Sequence, residues 1–265
     1  MSAPFGCRAA TVTDRQSHGA YVVIRCRDHA GPRPRPGQFY MLRTAERWGG
    51  GEGERPFLPR AFSALRADDR GLQFLIEDVG PGTKRLAELK AGDELLLVGP
   101  LGNGFAPPRE GRTPLLVGGG VGIAPLAIWQ DELDPGTRVL LGFRDALHAH
   151  GAALLSDPVM ATDDGSVGHD GLVTDLLEDE LDARGEELEV YACGPPAMLE
   201  AIRELCAARG VPAQLALESG MACGFGACFG CVVPTTDGYI RLCVDGPVLD
   251  AEKLESAMVM GAGHR

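Results

Sequence analysis

The chain has 265 residues, 45% of them hydrophobic, and a formal net charge of −12. That length accommodates two domains and a small appendage, and the acidic balance argues against a nucleic-acid partner, whose phosphates need a basic field. No apolar run reaches the length of a membrane span, about 18 residues or more: the longest candidate, Pro114 to Trp129, is broken by Gly118, Gly119, Gly120, Gly122 and Pro125.

Residues 1–106 read as strands. Ala20 to Cys26 is a β-branched run, Gly37 to Leu42 another, entered through a Pro/Arg/Gly turn. Gly71 to Ile76 and Glu94 to Val98 follow at the spacing of a small barrel. Between them, Trp48 to Glu54 reads as a glycine-rich surface excursion rather than a site. Arg60, Phe62 and Ser63 offer a fork for phosphate, an aromatic face and a hydroxyl. Gly82 leaves the start of a helix over Lys84 to Leu89 open to an anion, and Thr83 can cap it. Each of these is equally an ordinary strand-end or cap residue when taken alone.

Residues 107–214 alternate strand and helix. Pro114 to Val117, Arg138 to Leu141 and Glu189 to Ala192 are short apolar strands; Ile123 to Gln130, Leu172 to Leu177 and Pro196 to Leu205 have helical spacing. The alternation predicts a parallel sheet with covering helices. Gly118, Gly119, Gly120 and Gly122 lie where a strand turns into a helix, so their backbone N–H groups can face a pyrophosphate and their missing side chains allow close approach. The spacing departs from G-x-G-x-x-G, and the loop alone is equally a tight turn. Cys193 and Gly194 end a second strand before a helix, and two such ends side by side form a ligand crevice. Cys193 reads equally as a packing residue.

Residues 215–265 hold Cys223, Cys228, Cys231 and Cys243, the ligand spacing of a plant-type 2Fe–2S cluster. Gly220, Gly224, Gly226 and Gly230 supply the backbone freedom a tight wrap around iron requires. Structural zinc usually pairs two short knuckles, whereas Cys243 stands alone. Disulfide staples fit poorly, because no secretory signal precedes the fold, and a cytoplasmic location is expected. Cys7, Cys26 and Cys206 read as small buried hydrophobes. A chain with such a cluster moves single electrons.

Six motifs in order, Gly99 to Phe105, Gly118 to Pro125, Ala161 to His169, Cys193 to Pro195, Met221 to Cys228 and Cys243 to Pro247, resemble the electron-transfer subunit family of class 1B dihydroorotate dehydrogenase, within the ferredoxin-NADP reductase superfamily. The resemblance implies an FAD-binding antiparallel β-barrel, a Rossmann-like parallel-sheet NAD domain and a small C-terminal 2Fe–2S domain. Arg60 would hold the FAD phosphates, and Ala61, Phe62 and Ser63 would lie along the isoalloxazine ring. Ile76, Glu77 and Asp78 would run beside the adenosine half, with Gly82 and Thr83 at the pyrophosphate. NAD would sit at Gly118 to Gly122, its nicotinamide reaching Cys193, with Thr162 to Ser166 on the nucleotide side.

The family usually has proline where Ala61 stands and arginine where Glu77 stands; Arg85 is the expected compensating charge. The implied activity passes electrons from the FMN of a dihydroorotate-oxidising partner, in a heterotetramer of two plus two, through 2Fe–2S and FAD to NAD+. The rival within the superfamily is an NAD(P)H–ferredoxin reductase-type subunit of a hydrogenase, sulfide dehydrogenase or transhydrogenase.

Overall fold

The computed structural model describes residues 6–49 and 56–258. Six strands close an antiparallel barrel in the order β1-β2-β5-β4-β3-β6: β1 Arg8–His18, β2 Tyr21–Arg27, β3 Phe39–Thr44, β4 Arg60–Asp68, β5 Gly71–Glu77 and β6 Glu94–Leu101. Closure leaves no free edge. The expected strands all appear; β1 is longer and more polar than any of them and carries a bulge between Val12 and Asp14. Helix α1, Pro81–Ala87, follows β5 and begins three residues before the expected start. Trp48 is buried at 7% exposure, so the expected surface excursion does not begin there; residues 50–54 of it lie outside the described residues.

The second body is a seven-stranded sheet in the order β10-β9-β8-β7-β11-β12-β15. Its members in chain order are β7 Thr113–Gly119, β8 Arg138–Phe143, β9 Pro158–Thr162, β10 His169–Asp170, β11 Leu188–Cys193, β12 Ala213–Ala216 and β15 Val248–Asp250. Helices α2 Ile123–Gln130, α3 Ala146–Ala149, α4 Val173–Arg184 and α5 Pro196–Ala208 connect them. All six residues of β11 are buried, the pattern of a central parallel strand covered on both faces. Helix α2 is buried at every position because it lies between the sheet and β4 of the barrel. Trp129 on α2 stacks on Phe105, ring centroids 6.2 Å apart, and both meet Tyr191 of β11. The one carboxylate of β11, Glu189, is fully buried and accepts from the Arg109 N–H at 2.6 Å and from Gln214 at 3.0 Å.

The C-terminal segment adds the hairpin β13 Val232–Thr235 and β14 Gly238–Arg241, the short helix α6 Leu242–Asp245, and β15 Val248–Asp250. β15 returns to pair antiparallel with β12, so this segment is sewn to the sheet edge. One row of neighbours crosses four strands: Gly118 opposite Cys193, Cys193 opposite Ala216, Ala216 opposite Val248.

Candidate functional site

A cleft of about 490 Å³ opens where the barrel, the strand ends of the sheet and the segment entering the cysteine loop converge. The barrel contributes Arg60, Ala61, Phe62, Ser63, Glu77 and Thr83; the sheet contributes Gly122 and Cys193; Glu218 to Ala222 complete the wall. Of the expected site residues, Ile76, Asp78, Gly82, Gly118, Gly119, Gly120 and Gly194 are not among those lining it. Ile76 is buried at 1% exposure in the barrel core with Phe74 and Ile24.

Arg60 sits at the start of β4 and spends Nη1 on the Leu58 carbonyl, 2.7 Å away. A Cβ built on Gly82 would come within 3.2 Å of the Arg60 Nε and 3.3 Å of the Trp48 ring, so glycine lets both side chains pack closely over the start of α1. Thr83 stands at the third helical position, not at the cap. Its Oγ accepts from the N–H groups of Val79 at 2.9 Å and Gly80 at 3.0 Å, which fixes the turn ahead of α1.

The glycines of the second loop serve packing more than approach. A Cβ on Gly118 would meet Leu126 at 2.9 Å, on Gly119 the Met198 sulfur at 2.6 Å, and on Gly122 the Cys193 carbonyl at 2.5 Å. Protein, not open space, fills those positions. Gly120, at φ +53°, is the one whose turn needs a left-handed conformation. Cys193 is buried and also lines the cleft, and burial pushes its thiol well above the ordinary range.

Glu77 finds its partners across the barrel–sheet junction. Arg144 lies 4.0 Å away and His148 3.3 Å away, and His148 is also 2.6 Å from Asp145. The expected compensating residue, Arg85, instead donates to the Arg47 carbonyl. No pattern within either segment signals this pairing, since the partners are far apart in the chain.

The four cysteines stand as two pairs. The sulfurs of Cys231 and Cys243, both buried, are 3.2 Å apart. Cys223 lies against Cys228: burial raises its thiol, but N–H groups of Cys228, Phe225 and Ala227 and the Cys228 thiol outweigh that and bring it down to about 6. Burial, then the neighbouring Cys231, push Cys243 up to about 12. Gly226 N–H donates to the Cys243 sulfur at 3.1 Å and Gly230 N–H to the Cys228 sulfur at 3.4 Å. Gly224 and Gly226 adopt φ of +81° and +84°, and a Cβ on either would strike Met41 or Val244. Among the described residues no three His, Cys, Asp or Glu converge on a single ion. Two thiol pairs with backbone donors aimed at sulfur suit a two-iron centre. Cys26 and Cys206 are buried as expected, whereas Cys7 is exposed.

Two of the sequence motifs lock together beside this loop. Asn103 donates its side-chain amide to the Asp245 carbonyl at 3.0 Å, and its backbone N–H to Gly246 at 2.5 Å. Gly102 leaves room for that approach, since a Cβ there would lie 2.5 Å from the Gly246 oxygen.

Residues 218–255 match the iron–sulfur cluster binding domain of dihydroorotate dehydrogenase B. The chain is 39% identical over 230 residues to the dihydroorotate dehydrogenase B (NAD(+)) electron transfer subunit of Caldanaerobacter subterraneus subsp. tengcongensis, covering 84% of this chain and 88% of that one. The corresponding subunit of Geobacillus thermodenitrificans is 40% identical, covering 82% and 85%. The chain belongs to this family of electron transfer subunits. Its fold also matches a solved structure described as that of an NADH-dependent reduced ferredoxin-NADP oxidoreductase, with a TM-score of 0.79 at 26% identity, over 96% of this chain and 92% of that one. A ferredoxin reductase of carbazole 1,9a-dioxygenase matches with a TM-score of 0.66 at 24% identity, over 78% and 66%. The cleft residues missed by sequence reading are Glu218 to Ala222, which had a signal in standing directly before the cysteine loop.

Proposed function

We propose that the chain is the electron-transfer subunit of an NAD-linked dihydroorotate dehydrogenase, built as an FAD segment 1–106, an NAD segment 107–214 and a 2Fe–2S segment 215–265. The flavin supplies exchange between two-electron and one-electron chemistry, and the cluster supplies the one-electron relay. Arg60, beside the turn fixed by Thr83 and packed closely against Gly82, binds phosphate oxygens; Ala61, Phe62 and Ser63 hold the ring; Ile76 and Asp78 act through backbone at the adenosine half. Gly118, Gly119, Gly120, Gly122 and Gly194 shape the nucleotide crevice, with Cys193 at its floor. Cys223 and Cys228 serve one iron and Cys231 and Cys243 the other. No side chain is needed as a general base, because hydride exchange depends on alignment.

The observation that carries this reading is that the Arg60–Ser63 strand, the ends at Gly122 and Cys193, and the Glu218–Ala222 lead into the cysteine loop all wall one cleft. Phe39, Leu75, Val121 and Pro247 give that cleft an apolar lining that excludes water from the exchange. The partner is an FMN-containing dihydroorotate-oxidising subunit, in a heterotetramer of two plus two, with NAD+ as the acceptor and the cytoplasm as the location. No helix among the described residues is long and apolar enough to cross a membrane. Anaerobic NADH should bleach flavin and cluster bands in turn, and adding the FMN partner with orotate should reoxidise both; protein without labile sulfide would end the proposal. A ferredoxin-linked NAD(P)H subunit is the second reading, favoured by the 0.79 TM-score match. Co-purification with an FMN dehydrogenase, or with a ferredoxin-linked partner, separates the two.

A further inference from the structure

We propose that Arg241 is a positioning residue for the cysteine loop: it holds a positive charge against the peptide that faces the ligand sulfurs and so makes the iron–sulfur centre easier to reduce. The inference rests on the 2Fe–2S reading of the four cysteines and adds a residue that their spacing does not mark.

Arg241 ends β14 and precedes α6, the turn that carries Cys243. It is half-buried, and its Nη1 donates to the Gly226 carbonyl at 3.1 Å. That carbonyl belongs to the peptide unit whose N–H, on Ala227, is directed at the Cys223 sulfur. On its other side Gly226 gives its own N–H to the Cys243 sulfur at 3.1 Å. One glycine thus stands between the guanidinium and a sulfur of each thiol pair. A donor on an amide oxygen polarises the N–H of the same unit, so the bond to Cys223 is strengthened by the bond from Arg241. Gly226 permits the approach: a Cβ there would lie 3.1 Å from Arg241 Nη1 and 2.7 Å from Val244 Cγ2. The guanidinium also lies over the Phe229 ring, its Cζ 5.3 Å from the centroid. Asp245, four residues on, accepts the Arg241 backbone N–H at 2.9 Å. No carboxylate among the described residues forms an ion pair with the guanidinium, so its charge is left to act on the loop. Each electron gained by a thiolate-ligated centre adds negative charge to a site already negative, and a fixed cation stabilises the reduced form more than the oxidised one. In a chain of net charge −12 that cation works against the opposing field of the whole molecule.

The test uses the full chain with centre and flavin in place. An anaerobic redox titration reads the midpoint of each, the centre by electron paramagnetic resonance and the flavin by absorbance. Arg241→Gln keeps a donor and removes the charge. Reduction of its centre should become about tenfold less favourable, a downward shift of about 59 mV for one electron, with the flavin midpoint unmoved. Arg241→Lys keeps the charge and should stay closer to the parent than to Arg241→Gln. A purely structural clamp would lower iron and labile-sulfide content while leaving the midpoint of the remaining centre in place, and that result overturns the proposal. An equal shift in Arg241→Lys and Arg241→Gln also overturns it, because charge would not be the agent. If Arg241→Gln assembles no centre, Arg241→Lys decides: a centre at the parent's midpoint keeps charge as the requirement, and one displaced by about tenfold, or none, overturns it. Parent protein that gives no resonance after reduction sinks the iron–sulfur reading itself, whereas a parent signal with an unshifted Arg241→Gln sinks only this inference.

Discussion

Substituting Gly122→Ala isolates the contact that sets the width of the cleft. Gly122 has φ −61° and ψ −9°, an ordinary right-handed conformation, so alanine brings no backbone strain. The new methyl, however, would stand 2.5 Å from both the carbonyl carbon and the oxygen of Cys193 and 2.6 Å from the Gly194 Cα. All three are backbone atoms, so no rotamer change relieves the clash; the start of α2 must retreat from the end of β11 by about 1 Å to reach ordinary contact. Overpacking of this kind costs about 1–3 kcal/mol, which for a chain of this size lowers the melting temperature by roughly 2–4 °C per kcal/mol. Gly122 and Cys193 touch and both line the cleft, so NADH affinity should fall with stability. Differential scanning calorimetry and an NADH titration read the two effects. The control is Gly120→Asn, where the nearest protein atom is the Tyr21 hydroxyl at 4.0 Å and asparagine tolerates the positive φ. If Gly122→Ala melts and binds NADH like the parent, or melts no lower than Gly120→Asn, the account of the crevice as a backbone-to-backbone contact is wrong.

Three further outcomes are expected. Cys228→Ala should abolish the visible cluster spectrum and partner-linked reduction while leaving NADH–dye activity, as read by absorbance and labile-sulfide assay; an unchanged spectrum would remove Cys228 from the ligand set. Glu77→Arg places a second cation beside Arg144 and should destabilise more than Glu77→Gln, which loses about 1 kcal/mol or less; added salt should narrow the gap in melting temperature, and a gap insensitive to salt would refute a charge effect. Glu200 on α5 accepts from Arg203 at 2.6 Å, from the Ser256 hydroxyl at 3.0 Å and from the Ala257 N–H. The Arg203 guanidinium and those donors, opposed by partial burial, hold its carboxyl down at about 2. Because the folded value is depressed, the tether is fully formed above pH 4.5 and lost as pH falls toward 2; hydrogen exchange at residues 254–258 should rise over that window, and at neutral pH in Glu200→Gln.

Much of the fold was legible because its signals are local. The apolar runs at β2 and β5, the first rich in β-branched residues, and the strand–helix alternation from β7 to α5 depend on neighbours in the chain, and four cysteines at fixed spacing carry their chemistry in the spacing itself. Strand β1 was not legible: its Thr-Asp-Arg-Gln-Ser-His run is polar, and it holds its place by pairing β2 and β6 rather than by propensity. The start of α1 was set late because Pro-Gly reads as a turn, although proline suits a first helical position. The glycine loop was placed correctly but for an incomplete reason, since which glycine clears ligand and which clears Met198 depends on where α5 lies. Trp48 and the Glu77–Arg144–His148 contact were invisible for the same cause: their partners are remote in sequence, and nothing in their own segments announces them.

The row that runs from Gly118 through Cys193 and Ala216 to Val248 acts as a ruler. Val248 is the point at which the thiol-bearing excursion rejoins the sheet, and Gly118 is where the nucleotide loop departs, so the two stations are joined by backbone hydrogen bonds with no hinge between them. Tunnelling rates fall steeply with separation, and a rigid spacer of this sort makes the rate a property of the fold rather than of its fluctuations.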